Sequence, residues 1–122
     1  MDNATPMLDA AIEKNNTWVA KFNPALATYV SLVQKENDEY MQKNFPTLPR
    51  VVITIDRGSK YIRIVKGNED GSHRSLHSFV DRTNGNILKG SWKAPVKNGV
   101  RGSIFNENPM KGMDHHGPCY LR

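Results

Sequence analysis

The residues richest in possible chemistry lie between Arg82 and Arg101, in the stretch RTNGNILKGSWKAPVKNGVR. Arg82, Lys89, Lys93, Lys97 and Arg101 place five positive charges there, and no acid accompanies them. Trp92 stands among them, and Gly85, Gly90, Pro95 and Gly99 interrupt the run. Clustered cations on a turn-rich segment with an aromatic suit a polyanion, nucleic acid above all. Lys89, Lys93, Lys97 and Arg101 recur every four residues, yet Gly90, Pro95 and Gly99 oppose the helix that would align them. On a loop the same side chains can follow a phosphate backbone, and binding of that kind weakens steeply with salt. Trp92 has two readings: a base-stacking residue, or a lid over one end of a sheet.

A second group lies upstream. Tyr61 and Arg63 alternate with Ile62 and Ile64. If the isoleucines face a core, Tyr61 and Arg63 share the open side, with His77 and Phe79 as neighbours from the next strand. Aromatic and basic side chains on a sheet face form a single-strand platform in several nucleic-acid-binding modules. The alternative is a half-exposed face packed on its own loops.

Other chemistries fare worse. Asp114, His115, His116 and Cys119 are ligand types within six residues, but a structural zinc site wants four ligands, usually as two spaced pairs. Cys119 near His116 is a single pair in a tail, which does not make a nucleophilic constellation. The chain contains no phosphate-loop pattern, no GxGxxG and no HExxH. The expectation is a non-enzymatic protein with no cofactor, no metal site and no catalytic residues.

The elements that would position these residues fall into three parts. Residues 1–45 read as helical. Thr5-Pro6 and Asn23-Pro24 both look like helix starts, which predicts two helices with the second running from Pro24 to about Lys43. Met7, Leu8, Ala11, Ile12 and Val19 can share one face of the first. Leu26, Tyr29, Val30, Val33, Asn37, Tyr40 and Met41 form an amphipathic stripe on the second. That stripe suits packing on a sheet or, alternatively, a homodimer seam through 24–43. Residues 50–105 read as a β-meander and the basic loop, with strands at 51–55, 61–65, 75–81 and 86–89. Asn84-Gly85 is a hairpin signal. From Gly90 a long loop is expected, with a short edge strand near 103–105. Residues 106–122 read as an irregular tail. The fold class is therefore α+β, two N-terminal helices on a four- or five-stranded antiparallel sheet, in a single domain spanning 1–122.

Composition bounds the setting. The chain has 122 residues and a net charge of +5. Residues 1–50 hold five bases against six acids, and residues 51–122 hold twelve against six. Any anion-binding surface therefore belongs to the second half. One cysteine excludes an intrachain disulfide and fits a reducing compartment. The first residues lack a signal-peptide pattern, and no apolar run approaches a membrane span.

Three phrases resemble one group of proteins: KYIRIVK (60–66), SLHSFVDRTNGNILKGSWKAPVKNGVRGSIF (75–105) and YLR (120–122). The segment from Tyr61 to Phe105 is similar to small proteins encoded by tailed bacteriophages, in the order FVD, a Gly turn, SWKAP, then a basic-Gly segment. The resemblance covers a little over a third of the chain. It implies a phage origin and a place in the bacterial host cytoplasm or the virion. It implies no activity and carries over no functional residue. Two functions follow as expectations. The first is nucleic-acid binding, DNA or RNA, through Tyr61, Arg63, Lys89, Trp92, Lys93, Lys97 and Arg101. The second is an interaction with a host or virion protein and no nucleic-acid role.

Overall fold

The structure, a computed structural model, describes residues 6–111, 113–114 and 117–118, with side chains for 17–96 and 99–111. One helix, α1 (Pro6–Asn44), precedes five strands: β1 (Val52–Arg57), β2 (Tyr61–Gly67), β3 (Ser75–Asp81), β4 (Asn86–Gly90) and β5 (Pro95–Ser103). The strands form an antiparallel sheet in chain order β1-β2-β3-β4-β5. A separate two-stranded ribbon, β6 (Met113–Asp114) and β7 (Gly117–Pro118), follows, and β7 lies against β3 and β4. No described helix is long and apolar enough to cross a membrane.

The expected pair of helices is a single one. Pro24 lies inside α1 and does not end it. An interior proline removes one hydrogen bond and crowds the preceding turn, at a cost of about 3 kcal/mol. Here the lost donor would have met the exposed turn at Ala20, where water can take its place. Phe22 and Leu26 straddle the proline and are buried in the core. Full burial of each such side chain contributes roughly 1.5–3 kcal/mol, so packing on both sides of Pro24 outweighs the break. Val19, placed with the apolar face from its spacing, is instead exposed. Met7, Leu8, Ala11 and Ile12 have side chains outside the described residues.

The stripe on the second half of the helix is buried as far as Asn37, while Val30, Tyr40 and Met41 are only half-buried. Leu26, Tyr29, Val33 and Asn37 turn inward, and a core forms between them and Ile53, Ile62, Ile64, Val80, Ile87 and Ile104. Register explains the sorting. Ile62 pairs with Val80 and Ile64 with Ser78, so these four point to the helix. Arg63 pairs with Phe79, and Phe79 with Leu88, on the other side. Between Ile64 and Val65 the β2–β3 register slips, and His77 is the extra residue.

Buried polar groups are tied together. The Tyr29 hydroxyl and Ser78 Oγ are 2.7 Å apart, and His77 Nδ1 lies 2.9 Å from the same Ser78 oxygen. Burial pushes the Tyr29 phenol above its ordinary pKa, so it remains a neutral hydrogen-bonding group. Asn37 Nδ2 donates to the Val33 carbonyl one turn back. At the sheet margin Gln34 acts like a short piece of strand. Its Nε2 donates to the Val51 carbonyl at 2.7 Å, and its Oε1 accepts from the Ile53 amide at 2.9 Å.

The region after Gly90 is also more ordered than expected. In place of the expected long loop with an edge strand near 103–105, the chain turns back within Ser91–Ala94 and forms β5 from Pro95 to Ser103. Gly90 permits this. A Cβ there would lie 2.6 Å from the Ala94 carbonyl oxygen and 2.7 Å from the Phe79 ring. Ser91 N then donates to Ala94 O and closes the turn.

Candidate nucleic-acid interface

The sheet side opposite the helix gathers the aromatic and basic residues. Along β2, Tyr61 and Arg63 point away from the core that holds Ile62 and Ile64, as their alternation predicts. Phe79 joins them from β3, its ring 6.1 Å from the Tyr61 ring in an edge contact. His77 does not join them. It lies in the bulge, buried, with its ring 6.4 Å from the Tyr29 ring on the helix side.

Arg63 is the hub of this face. Its Nε donates to the Trp92 carbonyl at 2.8 Å and its Nη2 to the Lys93 carbonyl at 3.1 Å. The guanidinium also lies 5.6 Å from the Phe79 ring centre and 5.4 Å from that of Trp92. Hydrogen bonds to two successive carbonyls fix the β4–β5 turn over the sheet. Arg63 therefore positions Trp92, and two of its five donors are already engaged.

Trp92 is neither buried nor free of the body. It keeps 43% of its surface exposed. Arg74 brings a second guanidinium to 5.3 Å from the same indole. Contacts of this kind stabilise by about 0.5–1 kcal/mol at exposed sites. Arg74 Nη2 also pairs with Asp56 Oδ2 at 2.5 Å, with both side chains about two-fifths exposed. Lys60 adds a cation 5.2 Å from the Tyr61 ring. The outcome is an aromatic surface bordered by Lys60, Arg63 and Arg74, with exposed Lys93 on the adjoining turn and Asp56 as the acid paired into it.

Of the seven expected site residues, the structure brings together Tyr61, Arg63 and Trp92, with Lys93 joined through its backbone carbonyl. Lys89 alternates with Leu88 and Gly90 and so belongs to the helix side of the sheet. Arg101 is an extra residue where the β4–β5 register slips. Its Nη1 reaches the Val100 carbonyl, and it lines a hollow with Asn106, Glu107 and Lys111. The Lys97 side chain is outside the described residues. The spacing of Lys89, Lys93 and Arg101 is thus dispersed, because the Ser91–Ala94 turn and the register slips of the β4–β5 hairpin come between them. Arg74, Asp56 and Lys60 were missed. Asp56 and Arg74 are 18 residues apart, and only the three-strand register makes them neighbours.

A family model described as "Family of unknown function (DUF7717)" matches residues 6–119. The chain belongs to that family. The match runs from the first turn of α1 through β7 and so includes the whole sheet and the Trp92 turn. No curated protein and no solved structure matches the chain. Among the described residues of this family member, no group of three or more metal-ligating side chains forms. Asp114, His115, His116 and Cys119, weighed as ligands above, have side chains outside the described residues.

Proposed function

We propose that this chain is a non-enzymatic, phage-encoded protein that binds single-stranded nucleic acid with little sequence preference in the bacterial host cytoplasm. The observation that carries the reading is the Trp92 indole, 43% exposed and attended by two guanidinium groups on the sheet side opposite the helix. Every base has a π-face, so an exposed indole stacks on any of them and reads little sequence. Lys60, Arg74 and Lys93 supply charge for the phosphates, while Arg63 holds the turn.

Fluorescence anisotropy of a labelled oligonucleotide at two salt concentrations tests this. Base–aromatic stacking contributes roughly 1–3 kcal/mol, so Trp92→Ala should weaken binding by about 10-fold. Lys93→Ala should lower affinity less and flatten the salt dependence. No binding at low salt, or two variants indistinguishable from the parent, would defeat the proposal.

A second reading has its own observation. Phe45 and Leu48 are exposed beside Met41 and Pro46, around a hollow of 370 Å³ at the end of α1. Apolar side chains grouped in this way suit a host or virion protein partner. The buried stripe of α1 faces the sheet, so a homodimer would have to use another side of the helix. Recovery of a stoichiometric protein from nuclease-treated lysate, lost on Leu48→Asp, would favour this reading.

A further inference from the structure

The corner where α1 crosses the β1–β2 turn holds a second basic site, on the helix side and away from Trp92. A cavity of 260 Å³ is lined there by Trp18, Phe22, Asn23, Arg57, Ser59 and Arg82, among others. Strand alternation separates the charges. Arg57 pairs with Ile62 and so takes the helix side, while Asp56 pairs with Arg63 and takes the other. The wall therefore receives two guanidinium groups and no carboxylate. Among the described residues the ion pairs use Arg50 and Arg74, and none involves Arg57.

The corner is also rigid. Arg82 Nη1 donates to the Gly58 carbonyl at 2.7 Å, and its backbone amide donates to the Lys60 carbonyl at 2.9 Å. Its own carbonyl accepts from Trp18 Nε1 at 3.0 Å. Trp18 is held further by the Phe22 and Phe105 rings, each centred 5.6 Å away. One arginine thus fixes the turn and the indole together. Like charges lining a concave wall focus a positive potential into it. An anion seated there relieves their repulsion and accepts charge-assisted hydrogen bonds.

We propose that this cavity is a phosphate-binding site, taking the phosphoryl group of a nucleotide-sized ligand on Arg57 and Arg82 with its organic part against Trp18. Ser59 and Asn23 offer neutral donors to the same oxygens. The phosphate can come from a free mononucleotide or from a nucleic-acid strand, and the site chemistry is the same for both.

The chain has two tryptophans, so Trp92→Phe leaves Trp18 as the sole reporter. Its fluorescence is titrated with inorganic phosphate, a nucleoside monophosphate, the unphosphorylated nucleoside and an oligonucleotide. The monophosphate should give a saturable change, phosphate a weaker one and the nucleoside none. Arg57→Gln should weaken the monophosphate about 10-fold, with Arg57→Lys recovering part of the loss. Circular dichroism should be unchanged, because Arg57 anchors no other residue. A response to the oligonucleotide alone that still depends on Arg57 would assign the phosphate to a strand. No change with any phosphate compound, or identical titrations for Arg57→Gln and its parent, would overturn the site. Neither outcome depends on whether Trp92 stacks on bases.

Discussion

The two sides of the sheet are built from the same strands, often from adjacent residues, and do opposite things. On the helix side, Ile62, Ile64 and Val80 are wholly buried, and the polar groups among them are tied to one another. On the other side, Phe79 is buried, yet the arginines and Trp92 above it keep contact with water. The first side gains from excluding solvent. The second gains from aromatic and cationic groups held together while half exposed. Two consecutive residues on β2 illustrate the difference. Ile62 lies under the helix, and Arg63 anchors the turn that carries Trp92.

That contrast can be broken experimentally. The largest effect should come from Ile64→Ala. A buried isoleucine cut to alanine costs about 2–5 kcal/mol, so denaturant unfolding should shift strongly while affinity per folded molecule stays unchanged. Trp92→Ala should do the reverse, altering unfolding by less than about 1 kcal/mol while binding falls. If the two variants lose stability equally, the division into a structural and a working side is wrong.

The smallest effect concerns the rim of the helix side. Arg50 donates two hydrogen bonds to Asp38. These bonds, ahead of the weaker help from Gln34, hold the Asp38 carboxyl below its ordinary value of 3.8. A carboxylate whose pKa is lower in the folded state stabilises it above the unfolded pKa, and that contribution disappears as pH falls through the lowered value. Both side chains are well exposed, so the effect is modest. Thermal melts of the parent and Arg50→Ala should differ slightly at neutral pH and converge at pH values below the ordinary carboxylate range. A gap that widens on acidification would contradict the pairing.

Much of the fold was legible in the sequence, for identifiable reasons. VVITI and YIRIV are β-branched and alternate, and their strands appear where the period changes. Asn84-Gly85 marks the β3–β4 turn, where Gly85 takes a positive φ of 79° and leaves no room for a Cβ against the Phe105 ring. Pro24 misled because its local cost is visible in the sequence, whereas burial of Phe22 and Leu26 depends on a sheet that follows later. The site divides in the same way. Tyr61 and Arg63 follow from alternation within one strand. The Arg74–Asp56 pair and the role of Arg63 in holding the turn require β1, β2, β3 and the β4–β5 turn to be assembled first. The regular spacing of Lys89, Lys93, Lys97 and Arg101 carried no information about a shared face, because no helix spans them.

Gln34 has a consequence for how the chain reaches this state. It meets Val51 and, in β1, Ile53 across 17 and 19 residues, and Asp38 meets Arg50 across 12. Closing loops of that size costs little more entropy than closing a hairpin, since the cost rises only with the logarithm of length. The helix can therefore bind the first strand before any two strands have met. Gln34→Ala should slow refolding in stopped-flow measurements more than it speeds unfolding; unchanged refolding would rule this order out. On this route a side-chain amide supplies the first rung of the ladder, and β2 to β5 add to it one hairpin at a time in the order in which they are synthesised.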